Sequence, residues 1–219
     1  MLFRSHLVEN GIPPLQVRLA DLAARNTAAL PAEITAPMRN TPTLVAIGRL
    51  SAEKGFGNLI EAFARVRAEG IDHCRLVIVG EGAQRAVLTA RIAALGLQKS
   101  VVLAGYLEGA ERMLEHAAGF VMSSLTEGMP LVLLEAMQWR VPILATSVGA
   151  IPELLDYGQR GQLVPPGSVE ALTDGLRQLM TSLAAARRDT VERAYAAVQQ
   201  HYTSSRMADE YRRLYQEVA

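Results

Sequence analysis

The sequence predicts an α/β protein, a doubly wound, Rossmann-like parallel sheet of about six strands with extra helices at its C-terminal end. Three observations carry that expectation. Short, continuous apolar runs alternate with longer stretches of helical periodicity. The runs lack an in-out alternation of polar residues, as strands covered on both faces do. Several of them end in Gly or a small residue, and in such sheets ligands sit at the carboxyl ends of the strands.

The elements follow in order. Residues 1–42 do not read as a regular domain start. A helical end is expected over 3–10, followed by a turn at Asn10-Gly11-Ile12-Pro13-Pro14. Residues 16–30 have mixed helical potential. Residues 31–42 contain Pro31, Pro37 and Pro42 and read as an irregular connector. From residue 43 the pattern is clear. Strands are expected at 43–47, 75–79, 101–104, 120–122, 142–146 and 161–164. Between them lie helices at 56–67, 84–95, 110–117, after Pro130, and at 151–155. Helices at 169–182, 187–201 and 204–218 close the chain. Three segments result: 1–42 as an interdomain piece, 43–201 as the ligand-binding domain, and 202–219 as a terminal bracing helix.

Composition excludes several classes of function. Lys+Arg and Asp+Glu are both 22 in 219 residues, so no net charge attracts nucleic acid or an acidic membrane. Cys74 is the single cysteine, which excludes an internal disulfide and suits a reducing compartment. The four histidines lack metal-ligand spacing, and no metal site is expected. No apolar run approaches the roughly 18 residues of a membrane span. The start, Met1-Leu2-Phe3-Arg4, does not read as a secretion signal.

Chemistry concentrates between Ser124 and Met137. Glu127 and Glu135 flank Gly128-Met129-Pro130 and an apolar run from Leu131 to Leu134. The Gly-x-Pro step reads as a helix entry, with Glu127 in the loop and Glu135 inside a helix that is apolar on almost every side. Unpaired N–H groups at a helix start make an anion seat, and carboxylates accept from sugar hydroxyls. A phosphate together with hydroxyls describes a nucleotide sugar, although a solvated Glu127 and an edge-exposed Glu135 satisfy the same letters. After the first strand, Gly48-Arg49-Leu50-Ser51-Ala52-Glu53-Lys54-Gly55 places two cations in a strand-to-helix loop. Those cations also read as a solvated pair partnered by Glu53. Gly80-Glu81-Gly82 is a tight turn or a backbone approach to ligand. Tyr106, followed by Leu107, is expected to pack its ring at the sheet edge and leave nearby backbone for a base. Glu153 reads as an acid at a helix start. There is no Walker A loop, no Gly-x-Gly-x-x-Gly after the first strand, no Asp-x-Asp and no Gly-x-Ser-x-Gly.

The series as a whole resembles glycosyltransferase family 4, whose members are retaining enzymes with a two-domain B-type fold. It runs through Gly48-Arg49-Leu50, Lys54-Gly55, Val77-Ile78-Val79-Gly80-Glu81-Gly82 and Leu103-Ala104-Gly105-Tyr106. It continues through Ser124, Glu127-Gly128, Pro130-Leu131, Glu135-Ala136-Met137, Val141 to Thr146, and Gly161 to Gly167. The likeness covers about residues 43–183 and is to the C-terminal, donor-binding half alone. It implies that Arg49 and Lys54 bind the diphosphate, with Gly48, Gly80 and Gly82 shaping the loops. Glu127, with the backbone of Gly128, Met129 and Leu131, would face the donor sugar. Glu135 would accept from the ribose, and backbone at Tyr106 and Leu107 would meet the base.

The resemblance also implies a UDP- or GDP-sugar donor, no cofactor and no metal. The acceptor would be a glycan or lipid-linked molecule, met through an N-terminal domain that is missing here, so this chain alone is expected to be inactive. The expected setting is polysaccharide or lipopolysaccharide assembly in the cytoplasm, or at the inner membrane through that missing domain. A stand-alone binding subunit with a separate acceptor-binding partner is the alternative, and an epimerase of related fold a further one. Arg140 stands where the family has a helix-ending Gly, Ala150 replaces the second Gly of a pair, and Ser168 replaces a frequent Asp.

Overall fold

The computed structural model describes residues 8–24, 29–181 and 184–218. Six parallel strands form one sheet: β1 Thr43–Ile47, β2 Arg75–Val79, β3 Val101–Gly105, β4 Gly119–Met122, β5 Ile143–Thr146 and β6 Gln162–Val164. Their order is β3-β2-β1-β4-β5-β6. The chain builds one wing outward from β1, returns to the other side of β1 at β4, and builds the second wing. The reversal between β1 and β4 opens a crevice at the strands' carboxyl ends.

The four inner strands bury both faces, so the sheet separates two cores. Leu44, Ala46, Leu76 and Ile78 pack with α3 (Phe56–Ala68), α4 (Arg85–Ala94) and α7 (Val169–Thr181) through Leu59, Phe63, Ile92 and Leu176. Val45, Val77 and Phe120 face the other way. There they meet α5 (Leu131–Gln138), α6 (Ile151–Leu154) and α8 (Ala184–His201). Each Leu or Phe so buried contributes about 1.5–3 kcal/mol. The last helix, α9 (Ser204–Val218), starts where Ser204 N–H donates to the Ile12 carbonyl and Ile12 N–H donates to Tyr202.

The structure corrects four expectations. Residues 31–42 are not irregular throughout, because Ala32–Met38 forms a helix, α2. Pro31 stands before its first residue, where a missing N–H costs little, Pro37 removes one hydrogen bond from the last turn, and buried Ile34 and Met38 pin the helix to the core. The segment Ala110–His116 is a 3-10 helix rather than an α-helix. Helix α8 begins at Ala184, three residues before the expected 187. Of the helical end expected over 3–10, residues 3–7 lie outside the described residues and 8–10 take no regular structure. The mixed potential at 16–30 resolves into α1, Leu15–Ala24.

Candidate functional site

Four loops meet at the switch point, and backbone hydrogen bonds join them. Gly48 N–H donates to the Val79 carbonyl at 2.9 Å and Leu50 N–H to Glu81 at 2.8 Å, joining the loops after β1 and β2. Gly80 N–H donates to Gly105 at 2.8 Å and adds the loop after β3. Leu125 N–H donates to Glu53 at 2.7 Å and adds the loop after β4. Gly80 has a φ of 140°, and a Cβ there would run into the Gly48 carbonyl, so this junction requires glycine.

A pocket of about 330 Å³ opens over these loops, lined by Gly48, Arg49, Gly80, Tyr106, Leu107 and Ala110 among others. The structure therefore brings together residues that lie more than sixty positions apart in the chain, Gly48 and Ala110. Tyr106 is 76 % exposed, so its ring does not pack at the sheet edge as expected. It follows Gly105, whose φ of 77° swings the chain outward, and stands free beside the pocket.

Next to the pocket, Lys54 runs its stem past Gly48, and its Nζ donates to Glu127 Oε1 at 2.6 Å. Ser124 Oγ donates to the same oxygen at 2.7 Å. The side chains of Lys54 and Glu127 are 24 % and 10 % exposed, so water screens the pair only partly. Both ends are fixed through backbone. Ser123 Oγ donates to the Lys54 carbonyl, and Thr146 Oγ1 donates to the Ser124 carbonyl. Behind Glu127 lies Gly149 at φ 55°, where a Cβ would strike the Glu127 carbonyl oxygen. Glu53, offered by the sequence as a partner for the cations, instead accepts from Ser51 Oγ at 2.6 Å. That bond, helped by its own backbone N–H and by Lys54 and Arg49, holds its carboxyl below the usual range.

The loop Glu127-Gly128-Met129 leads into α5, with Pro130 just before the first helical residue. The first N–H groups of α5 have no partners within the helix. Leu131 is half exposed at that end, while Leu133, Leu134, Ala136 and Met137 are buried. Gly82 continues the loop after β2, packed against the Leu50 backbone.

Glu135 lies one helical turn further on, and its surroundings were not foreseen. Arg18 of α1 donates to Glu135 Oε1 at 2.6 Å, lies 3.0 Å from Glu111 Oε1, and reaches Gln138 Oε1 at 3.4 Å. Burial pushes the Glu135 carboxyl above the usual range, Glu111 pushes it the same way, and Arg18 opposes both. Arg18 and Glu111 are the site residues that sequence reasoning missed, and Ser124 was named only as part of its motif, without a partner. A signal for Arg18 was present, since it is the only cation in α1 and shares one face with Leu15 and Leu22.

The remaining predicted features fall into place. Glu153 sits in the first turn of α6. Arg140 adopts φ 54°, the conformation that favours glycine, and its guanidinium stacks 3.6 Å from the Tyr195 ring centroid and pairs with Glu192. Ala150 has φ −82° and needs no glycine. Ser168 Oγ accepts from Ala171 N–H at 3.1 Å and so does what an Asp would do there. Among the described residues, no three His, Cys, Asp or Glu side chains gather around a possible metal position, and no helix is long and apolar enough to cross a membrane. A larger cavity, of about 430 Å³, lies at the opposite ends of the strands, near Leu44, Cys74 and Met180. It shares no residue with the loops described above, and burial pushes the Cys74 thiol up, away from reactivity.

A doubly wound sheet with cations, a helix start and carboxylates at its switch point defines an α/β protein whose candidate ligand site lies at the carboxyl ends of its strands. The chain belongs to the family described as glycosyl transferases group 1, whose profile matches residues 41–182. It is 31% identical over 179 residues to an alpha-D-kanosaminyltransferase of Streptomyces kanamyceticus, covering 81% of this chain and 46% of that protein. It is 29% identical to a putative colanic acid biosynthesis glycosyltransferase, WcaL, of Salmonella typhimurium, covering 81% and 45%. The chain thus spans about half the length of these relatives. Among solved structures, the C-terminal domain of a group 1 family protein, LpcC, of Francisella tularensis aligns at a TM-score of 0.67 and 26% identity, over 80% of this chain and 95% of that one. Anabaena HepE in complex with UDP aligns at a TM-score of 0.77 and 20% identity, over 85% and 52%.

Proposed function

We propose that this chain is the nucleotide-sugar-binding half of a retaining glycosyltransferase. The donor is a UDP- or GDP-sugar, and the acceptor is a glycan or lipid-linked molecule in polysaccharide assembly. The observation that carries this reading is the Lys54–Glu127 pair beside the pocket of Arg49, Gly80 and Tyr106. Support comes from the span of about half of the relatives' length and from the match to an isolated C-terminal domain. HepE, solved with UDP, and WcaL, a putative colanic acid biosynthesis glycosyltransferase, suggest the uridine nucleotide and the polysaccharide setting by likeness.

The residues then divide the work. The base lies against backbone at Tyr106 and Leu107, and Glu135 accepts from the ribose hydroxyls. Arg49 and Lys54 hold the diphosphate, helped by the start of α5. Glu127 turns Lys54 toward the phosphate side and, with Gly128, Met129 and Leu131, faces the sugar. In transfer, the bond from the anomeric carbon to the diphosphate breaks and the diphosphate leaves with the electron pair. Cations fixed before the reaction stabilise that growing charge without reorganising. The acceptor hydroxyl oxygen enters on the face the diphosphate leaves and its proton passes to the departing diphosphate, so the configuration is retained, and no metal takes part. The acceptor-binding half is supplied by chain beyond these residues.

The test uses the enzyme with its acceptor half present and a UDP- or GDP-sugar of known anomeric configuration, with chelator added. NMR of the product is expected to show the donor's configuration kept. Lys54→Ala is expected to lower turnover by about 10²–10³-fold, the effect of losing one preorganised charge. An inverted product would refute retention. Activity that survives Lys54→Ala unchanged would refute the site.

A further inference from the structure

We propose that Asn10 is a positioning residue for donor binding, which keeps the Met129 carbonyl turned away from the diphosphate so that the loop Glu127-Gly128-Met129 offers the anion only N–H groups. The inference rests on the functional reading above. It adds a residue from outside the span that matches the family profile.

Asn10 holds Met129 at two points. Its backbone N–H donates to Met129 Sδ at 3.2 Å, and its Nδ2 donates to the Met129 carbonyl at 3.2 Å. Sulfur is a weak acceptor, so the bond to the carbonyl carries more of the weight. Asn10 is itself held through its neighbours. Ile12 is buried, its N–H donates to Tyr202 and its carbonyl accepts from Ser204. Gly11 lies so close to the Thr203 carbonyl that a Cβ there would strike its oxygen. The chain entering Asn10 from this side is therefore seated on the turn between α8 and α9.

The rest of the loop is held in the same sense. Ala150 N–H donates to the Gly128 carbonyl at 3.1 Å, and Gly149 packs on the Glu127 carbonyl. Asn10 and Ala150 line one cavity of about 360 Å³ together with Gly128 and Met129, so both act from the same side of the loop. That cavity shares no lining residue with the pocket of Arg49 and Tyr106. In a planar trans peptide the N–H points opposite to the C=O. The N–H groups of Gly128 and Met129 thus point away from the groups that hold the carbonyls. With Leu131 N–H, they have no hydrogen-bond partner among the described residues.

Met129 is the weak point of this arrangement. The next residue is Pro130, so the peptide between them has no N–H and its carbonyl oxygen is its one polar group. Rotated to the other side, that oxygen would set a negative partial charge beside the unpartnered N–H groups and repel an anion. Gly128 and Glu127 are held by the turn at 149–150, but Met129 is held by Asn10. Removing the Asn10 amide frees the carbonyl to turn.

The experiment is calorimetric titration of the wild-type chain, Asn10→Leu, Asn10→Ala and Lys54→Ala with UDP-glucose and GDP-mannose, and with UMP and GMP. The monophosphates carry base and ribose but lack the outer phosphate and the sugar. Thermal melts check folding, and NMR follows the amide signals of Gly128 and Met129. Both Asn10 variants are expected to bind the nucleotide sugar about threefold to tenfold more weakly, as for the loss of a neutral hydrogen bond, and to bind the monophosphate like wild type. The Gly128 and Met129 amide signals should move when nucleotide sugar is added to wild type, and move less in the variants. If Lys54→Ala weakens binding but both Asn10 variants bind nucleotide sugar like wild type, or lose monophosphate binding equally, the positioning role is refuted and the donor site stands. If Lys54→Ala binds like wild type, or no form binds any of these nucleotides, the functional reading fails and the role of Asn10 fails with it. Should neither Asn10 variant fold, the wild-type signals decide, since Gly128 and Met129 amides that stay in place while the donor binds refute the proposal.

Discussion

Gly149 shows how one backbone position fixes a functional side chain. Its φ of 55° and the Glu127 carbonyl packed behind it leave no space for a Cβ. Gly149→Ala is expected to cost at least 1–2 kcal/mol for the left-handed backbone alone, by the usual penalty. It should also displace Glu127, so denaturant melts fall and donor affinity falls with them. Arg140 is the opposite case, a non-glycine residue at φ 54°. Its stacking on Tyr195 offsets about 0.5–1 kcal/mol of the backbone penalty. Arg140→Gly should therefore be more stable than Arg140→Ala by about 1 kcal/mol, because alanine loses the stack and keeps the strain. Glu135 makes a prediction about pH. Its folded carboxyl lies above the usual range, mainly through burial, so the stability it contributes is present below the ordinary carboxylate pKa and lost as pH rises through the raised value. Across that window the stability of Glu135→Gln relative to wild type should rise with pH in denaturant titrations. A difference that stays constant or falls would contradict the assignment. Glu127 and Lys54 were legible as residues that matter, but their pairing was not. They lie 73 residues apart in the chain, and only the junction of the loops after β1 and β4 brings them to 2.6 Å.

Elements differ in how openly the sequence declares them. The strands were plain, because Leu44 to Ala46 and Leu76 to Val79 bury both faces and so read as unbroken apolar runs. Helix α5 was plain for the same reason, with Glu135 as the polar residue that needed a partner. Helix α2 was not, since Pro31 and Pro37 read locally as breakers and the packing of Ile34 and Met38 decided the outcome. Arg18 escaped notice because its significance depends on where α1 lands, and an amphipathic stretch does not specify its landing place. Helix α7 supplies the test at this scale. Ser168 caps its start by accepting from Ala171 N–H, so Ser168→Ala should lose about 1 kcal/mol of stability while Ser168→Asp keeps it. Equal melts for serine and alanine would show that the cap carries no weight.

At the scale of the molecule, the topology explains why the chemistry gathers where it does. The order β3-β2-β1-β4-β5-β6 sends successive loops to the same end of the sheet and parts them between β1 and β4. Lys54 from the first loop and Glu127 from the fourth then meet through topology, in a chain of zero net charge. Family membership and the half-length match to relatives follow from the whole pattern and from no single motif. The most direct test of the account is a crystal structure of this chain with a UDP-sugar bound in the absence of metal. The account predicts diphosphate within hydrogen-bond reach of Arg49 and Lys54 at the start of α5, base beside Tyr106 and Leu107, and ribose on Glu135. Nucleotide at the opposite ends of the strands, in the cavity beside Cys74 and Met180, would contradict it.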